Sequence, residues 1–208
     1  MARTVKKHEE RREEIIQAAR QLFQVKDYDK ATMNDLMEIL NIAKGTLYHY
    51  FSSKEEILEA VVEDIVNEEL RKKEQMLRSE RVKDLDAMEK LKLLITESDV
   101  DDENDNILDS LHHPENTEMH AKQLGRYLVM LAPLYARVIS EGCETGVFKT
   151  EYPLECAEFI LAGAQFLTDV GFYPWTDAQM ARRMKALPSL LEAQLGAPAG
   201  SFDFMLER

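Results

Sequence analysis

The stretch Thr32–Glu56, TMNDLMEILNIAKGTLYHYFSSKEE, decides the fold of this chain. Leu36 and Leu40 lie four residues apart, so the first part of the stretch has an apolar side at helical spacing. Thr32 precedes this part and Asp35 follows three residues later, a pair that is typical of a helix N-cap with an acidic first turn. The spacing therefore predicts a short helix that begins just after Thr32.

The second part of the stretch predicts another short helix after a tight turn. Asn41 is expected to end the first helix because Asn, after Gly, best tolerates the left-handed backbone found there. Leu47 and Phe51 of the second helix are four residues apart and face inward. Its opposite side carries Lys44, Gly45, Thr46, Tyr48 and His49. Small, hydroxyl, aromatic and basic groups together suit a DNA groove better than water, so we predict the recognition helix of a helix-turn-helix.

At these residues the chain resembles a known family. The run KGTLYHYF over Lys44–Phe51, followed by SKEE over Ser53–Glu56, is similar to the N-terminal DNA-binding domain of the TetR family of transcriptional regulators. The resemblance covers roughly a quarter of the chain. Three positions depart from the usual pattern: Met37 replaces a small Ala, Asn41 the turn Gly, and Ala43 a capping Ser. None of these changes removes a DNA-facing group.

The resemblance implies a division of roles within the motif. Thr46 and Tyr48 would reach base edges or adjacent phosphates, and Gly45 would let the backbone approach closely. Lys44, Tyr50 and Lys54, with the hydroxyl of Thr32, would hold phosphates, as suits an interface in which about half to two-thirds of the contacts go to the backbone. The predicted DNA-binding set is Thr32, Lys44, Gly45, Thr46, Tyr48, His49, Tyr50 and Lys54.

The net charge of −13 is unevenly distributed. Residues 1–54 contain ten Lys/Arg and eight Asp/Glu, a balance of +2, so the remaining 154 residues carry −15. This asymmetry predicts that residues 1–54, the head, bind DNA and that the acidic remainder of the chain, the body, is repelled by it. A basic N-terminal arm would add phosphate contacts, and its members are Arg3, Lys6, Lys7, Arg11 and Arg12. A solvated charged tail explains these residues equally well.

Helical periodicity runs through nearly the whole chain, without an alternating strand pattern or an internal repeat. We therefore predict an all-α fold, with a three-helix DNA-binding domain over residues 1–54 and a larger helical effector-binding and dimerisation domain over residues 55–208. A capping box of Ser53 and Glu56 is expected to begin the long fourth helix. Later helices are predicted over 85–95, 107–112, 116–141 (ended by Gly142 and Gly146), 153–171 and 177–195, with a loose tail from Ala197.

Several protein classes are excluded by what the sequence lacks. No run reaches 18 apolar residues, since the best candidate, Phe159–Phe172, is interrupted by Gln165 and Asp169. The N-terminus has no apolar signal region, so we expect a cytoplasmic protein with reduced, structural Cys143 and Cys156. Without a nucleophile elbow, a phosphate loop or a Ser/His/Asp pattern, we expect neither enzymatic activity nor a cofactor.

Two clusters of possible metal ligands are judged to be solvated loops. His112, His113 and His120 lie within nine positions, but Pro114 breaks the segment and the spacing does not place all three on one helical face. The acidic loop Asp99–Asn106 lacks the glycine and the final glutamate of a calcium loop. We therefore predict no metal site.

The family resemblance also implies two sites in the body. The first is a ligand cavity, for which the candidate lining residues, each of which could also be ordinary core, are Tyr127, Met130, Phe159, Phe166, Phe172 and Trp175. The second is a four-helix dimer interface formed by the last two long helices of each subunit. Close helix approach needs small and apolar residues, which favours Ala157, Ile160, Leu161 and Ala164.

These observations predict a sequence-specific DNA-binding transcriptional regulator, in particular a homodimeric repressor. Two helix-turn-helix motifs related by a two-fold axis read a palindromic operator, with half-sites about 34–36 Å apart. A small apolar or aromatic effector would release the protein from DNA by preferring another conformation. An alternative stays open, in which the chain recruits a protein partner and senses no small ligand; a filled core would favour it.

Overall fold

A computed structural model describes residues 8–97 and 104–206, which form nine α-helices and no strand. The predicted all-α fold is confirmed. The helices are α1 His8–Lys26, α2 Met33–Leu40, α3 Lys44–Tyr50, α4 Lys54–Arg78, α5 Ala87–Thr96, α6 Asp105–Asp109, α7 Thr117–Thr145, α8 Pro153–Thr168 and α9 Asp177–Leu195. Two short 3-10 turns, Ser110–His112 and Pro114–Asn116, lie between α6 and α7, and a third, Asp203–Leu206, follows α9. The arm residues Arg3, Lys6 and Lys7, and the acidic-loop residues 99–103, lie outside the described residues.

The described chain divides into two compact units. The first contains residues 8–68 and 104–120, and the second contains residues 69–97 and 121–206. The first unit includes the described part of the predicted DNA-binding domain together with more than half of α4. The domain boundary after residue 54 therefore stays a prediction. Among the described helices, none is long and apolar enough to cross a membrane.

The core of the first unit is built from the apolar sides of α1 to α4. Buried residues of α1 recur at helical spacing from Ile15 to Phe23, as the sequence predicts. Beside this core, Arg20 makes a polar cluster: its Nη1 lies 2.7 Å from Glu68 Oε2 and 3.4 Å from Asp64 Oδ2, and its Nε donates to Asn104 Oδ1 at 3.1 Å. Because Asn104 is itself buried, this cluster ties α1 to both α4 and the start of α6.

The helix ends follow the predicted capping chemistry with two differences. Ser53 Oγ accepts from the Glu56 amide at 3.1 Å, but the Glu56 carboxylate returns to Ser52, accepting from its amide at 2.6 Å and its hydroxyl at 2.7 Å. These bonds lower the pKa of Glu56. α8 ends at Thr168 rather than 171, because Asp169 Oδ1 accepts from the Gly171 amide at 2.7 Å and turns the chain.

Two predictions for the second unit are wrong. Gly142 does not end α7: it lies inside the helix, where a Cβ would overlap the Phe148 ring, so glycine makes room for a buried aromatic residue. Gly146, at φ +80°, is the left-handed residue after the end of α7. Residues 197–206 are not loose, because Phe202 is fully buried in the core of the body.

Candidate nucleic-acid interface

The turn between α2 and α3 has the geometry that the sequence predicts. Thr32 and Asp35 form a capping box at the start of α2, and Asn41 takes the left-handed conformation at its end, with φ 49°. The Ile42 amide donates to Met37 O at 3.1 Å, which satisfies a carbonyl of the last turn. Ala43 precedes α3 without a side-chain cap, as its lack of a hydroxyl requires.

The orientation of α3 follows from its two inward residues. Leu47 and Phe51 are essentially inaccessible to solvent, whereas Lys44, Gly45, Tyr48 and His49 lie on the exposed side. A Cβ added at Gly45 would meet nothing within 4 Å, so the packing of the chain does not require glycine there. The open side of α3 therefore has room for an approaching molecule, closest at Gly45.

Aromatic and cationic side chains contact one another on this exposed surface. Lys44 Nζ lies 5.4 Å from the centre of the Tyr48 ring, a cation–π distance. At the other end of the helix, the ring of Tyr50 lies 4.6 Å from that of His8 and 5.2 Å from that of His49. The first residue of α1 thus packs beside the last turn of α3.

Thr32 is exposed but its hydroxyl has intramolecular partners. Its Oγ1 accepts from the Asp35 amide at 3.2 Å and donates to Asp35 Oδ2 at 2.7 Å. Asp35 also accepts from Lys26 Nζ at 2.7 Å, and these bonds, that to Lys26 above all, lower the pKa of Asp35 to about 2. A DNA phosphate at this position would compete with a carboxylate that is ionised at neutral pH.

Lys54, which was predicted to hold a phosphate, contacts the loop between α1 and α2. Its Nζ donates to the carbonyls of Tyr28 at 2.9 Å and Ala31 at 3.2 Å, and lies 4.1 Å from the centre of the Tyr28 ring. One ammonium thus satisfies two loop carbonyls and covers an aromatic face. Its DNA contact remains a prediction, but its contacts in the structure are within the chain.

The two predicted body sites are only partly brought together. Ala157 and Leu161 belong to the buried core of their own subunit, and Ile160 packs against that core, so the first two are not available to a second chain. Phe159 and Phe166 lie on the exposed side of α8, with 72% and 59% of their surfaces accessible, and not in an enclosed cavity. Ala164 is half-buried.

The remaining cavity candidates fall into separate groups. Phe172 stacks on Phe166 with ring centres 5.4 Å apart, and the Trp175 ring lies 3.5 Å from the Arg183 guanidinium. Met130 is half-buried on α7, where the Tyr127 hydroxyl donates to Glu69 Oε1 at 2.9 Å. Burial, then the nearby Glu69, raises the pKa of Tyr127, so its hydroxyl stays protonated.

Sequence reasoning missed the charged groups around Tyr127. Glu69 and Lys73 are both buried and lie 3.7 Å apart. Lys73 Nζ also donates to the carbonyls of Leu94 at 3.1 Å and Glu97 at 2.8 Å, which lie at the C-terminal end of α5. The two residues lie in a charge-rich part of α4, and a run of charged residues in a sequence ordinarily predicts a solvent-exposed surface.

The structure thus defines a helix-turn-helix protein with an exposed recognition helix and a helical body. Residues 15–61 match the family described as bacterial regulatory proteins, tetR family, and residues 99–190 match the tetracyclin repressor-like C-terminal domain. The chain belongs to the TetR family, whose members are DNA-binding transcriptional regulators.

Individual relatives agree with this assignment. The chain is 37% identical to YfiR of Bacillus subtilis, an HTH-type transcriptional regulator, over 71 residues, or 34% of this chain and 35% of that protein. It is 39% identical over 56 residues to IcaR of Staphylococcus epidermidis, the negative transcriptional regulator of the biofilm operon icaADBC (27% of this chain, 30% of that protein). The chain spans about a third of the length of these relatives. A TetR-family regulator from Pectobacterium atrosepticum shares the fold, with 23% identity, a TM-score of 0.62, and 94% and 100% of the two chains covered.

The contacts of Lys54 predict a structural role that can be separated from DNA binding. Lys54→Met removes both hydrogen bonds to the loop carbonyls, so we expect the free energy of unfolding to fall by about 1–3 kcal/mol in urea denaturation. Lys44→Met is the matched control, since Lys44 lies on the exposed side of α3, and its effect should stay within about 0.5 kcal/mol. Equal stability of the two variants would contradict the role of Lys54 in holding the loop.

Proposed function

We propose that this protein is a repressor that binds a palindromic operator as a homodimer and is released by a small apolar or aromatic effector. The observation that carries the proposal is the open side of α3, where Lys44, Tyr48 and His49 are exposed over a helix that Leu47 and Phe51 anchor in the core. A helix held in this way can enter the major groove without rearranging the head.

The chemistry of this surface supports a mixed interface. Gly45 offers close backbone approach, Lys44 an ammonium for phosphate, and Tyr48 a ring and hydroxyl for base edges or phosphate. Thr46 and Tyr50, which are half-buried beside them, extend the contact set. The acidic remainder of the chain would limit DNA to the head, since its charge repels phosphates.

Substitutions on α3 test DNA binding directly. With an operator selected from random duplexes, Tyr48→Ala should lose about 1–3 kcal/mol of binding free energy, because it removes a groove contact. Lys44→Met should weaken binding and reduce the salt slope by about one, as expected for one lost phosphate contact. Fluorescence anisotropy at several salt concentrations measures both, with Lys185→Met on α9 as the control. Unchanged affinity in both α3 variants would refute the assignment.

The proposed homodimer needs a surface other than the one predicted from small residues. Phe159 and Phe166 are seven residues apart on α8, so they lie on one side of the helix, and Leu190 of α9 is also 60% exposed. Large exposed apolar side chains on one side of a helix indicate an interaction site. We place the four-helix interface on this exposed side, because Ala157 and Leu161 already pack within their own subunit.

A charge on the exposed side of α8 tests this interface. Phe159→Glu would place a carboxylate in the apolar contact, and we expect the dimer to dissociate in light scattering and sedimentation velocity. Val129→Glu is the matched control, because Val129 is exposed to the same degree, at 71%, on α7. A stable Phe159→Glu dimer, or equal dissociation of both variants, would locate the interface elsewhere.

For the effector we propose a site in the body that includes Tyr127 and Met130. The polar groups beside this pair include the Tyr127 hydroxyl and the buried Glu69 carboxylate to which it donates. A largely apolar lining with a few polar groups is typical of ligand sites. An effector that contacts Tyr127 and Met130 would replace the Tyr127–Glu69 hydrogen bond with one of its own. It can release DNA only if its affinity for the conformation that does not bind DNA differs from its affinity for the one that does.

Paired tyrosine variants test the effector proposal. In a thermal-shift screen of small aromatic compounds, a true effector raises the melting temperature, since ligand at 100 times its Kd adds about 2.7 kcal/mol, and it lowers operator affinity. Tyr127→Phe should blunt both effects. Tyr135→Phe should not, because that hydroxyl donates to the backbone carbonyl of Leu94 at 2.8 Å. Stabilising compounds that leave operator affinity unchanged would favour the alternative, in which a protein partner regulates the chain.

A further inference from the structure

The structure brings together two of the histidines that the sequence separates. The rings of His112 and His120 have their centres 5.1 Å apart, and their ligand nitrogens lie within 4.8 Å of each other. His112 ends the 3-10 turn Ser110–His112, and His120 lies in the first turn of α7. The short 3-10 turn Pro114–Asn116 lies between them in the chain. His120 is buried, with 4% of its surface accessible, and is not the solvated loop residue expected from the sequence.

We propose that His112 and His120 bind a divalent transition-metal ion of the zinc class. Imidazole nitrogens suit Zn²⁺, Ni²⁺ and Cu²⁺, which they hold at about 2.0–2.1 Å in zinc sites. Two nitrogens on one tetrahedral ion stand about 3.3 Å apart, so the pair must close by no more than about 1.5 Å. His112 can supply this movement, because it is half-exposed and lies on a short turn. Water or other oxygen donors fill the remaining positions on the ion.

A carboxylate lies near one ring nitrogen of His112. Asp109 Oδ1 is 3.9 Å from His112 Nδ1. A carboxylate on one ring nitrogen fixes the tautomer and leaves the other nitrogen for the metal. At 3.9 Å the two atoms are too far apart for a hydrogen bond, so Asp109 would act as a positioning residue for His112 by closing this distance when the ion binds.

His113 provides a comparison within the same turn. Its Nδ1 lies 3.4 Å from Asp29 Oδ1, so it faces the loop after α1 and not the His112–His120 pair. Both ligands of the proposed site, by contrast, belong to the segment 104–120, whose first residue Asn104 accepts from Arg20 Nε and Gln24 Nε2 at 3.1 Å each. An ion that joins His112 to His120 would therefore stiffen a segment that is hydrogen-bonded to α1 of the DNA-binding head.

Metal titration of the full chain, produced without a histidine tag and freed of metal by chelator, tests the site. Zn²⁺ alone in isothermal titration calorimetry should bind at one ion per chain and raise the melting temperature. Co²⁺ should reproduce the stoichiometry by its visible absorption. His112→Ala and His120→Ala should each weaken Zn²⁺ binding by at least about 10-fold, and Asp109→Asn by about 10-fold.

The matched control is His113→Ala, which should keep the affinity of the unaltered chain. Because His120 is buried, the result for His120→Ala counts only if its circular dichroism spectrum is that of the native fold. If it is not, the half-exposed variant His112→Ala decides the outcome. Absence of stoichiometric Zn²⁺ binding, or equal weakening by His113→Ala, would overturn the proposal. Neither measurement involves DNA, so failure of the metal site is distinct from failure of the proposed repressor function.

Discussion

Burial of Leu47 and Phe51 in the core of the head is the interaction on which the rest of the site depends. Each side chain contributes about 1.5–3 kcal/mol by leaving water, and together they allow only one rotation of α3 about its axis. That rotation puts Lys44, Tyr48 and His49 outside. Because α3 has only seven residues and no side-chain cap, tertiary packing rather than intrinsic helix stability holds it in place.

Some polar side chains around α3 make hydrogen bonds within the head, and others face outward. Lys54 and Thr32 were predicted from the family resemblance as phosphate contacts, yet both have partners within the chain, in the α1–α2 loop and in the α2 cap. A motif specifies which residue types occur but not which of their hydrogen bonds are made internally. For a Lys, this depends on where carbonyls from a segment more than twenty residues away come to lie.

The body shows the same limit for apolar residues. α8 is apolar on more than one side, with Ala157 and Leu161 facing the core of the subunit and Phe159 and Phe166 facing outward. Helical periodicity cannot decide which of two apolar sides packs within the chain, because both satisfy the same spacing. Small residues suggested the inward side as the dimer surface, whereas the structure exposes the aromatic side.

Local sequence alone determined where most of the helices lie, several of their caps and the outward side of α3, since propensity, capping and i, i+4 spacing act over a few residues. The bounds of α9, the capping box of α2 and the left-handed Asn41 were all predictable in this way. Only the tertiary structure decided which charges are buried, as for Glu69 and Lys73, and that Phe202 closes the core of the body. It also placed His112 beside His120. These features depend on chain reversals and on contacts between distant segments, for which a single sequence has no local signal.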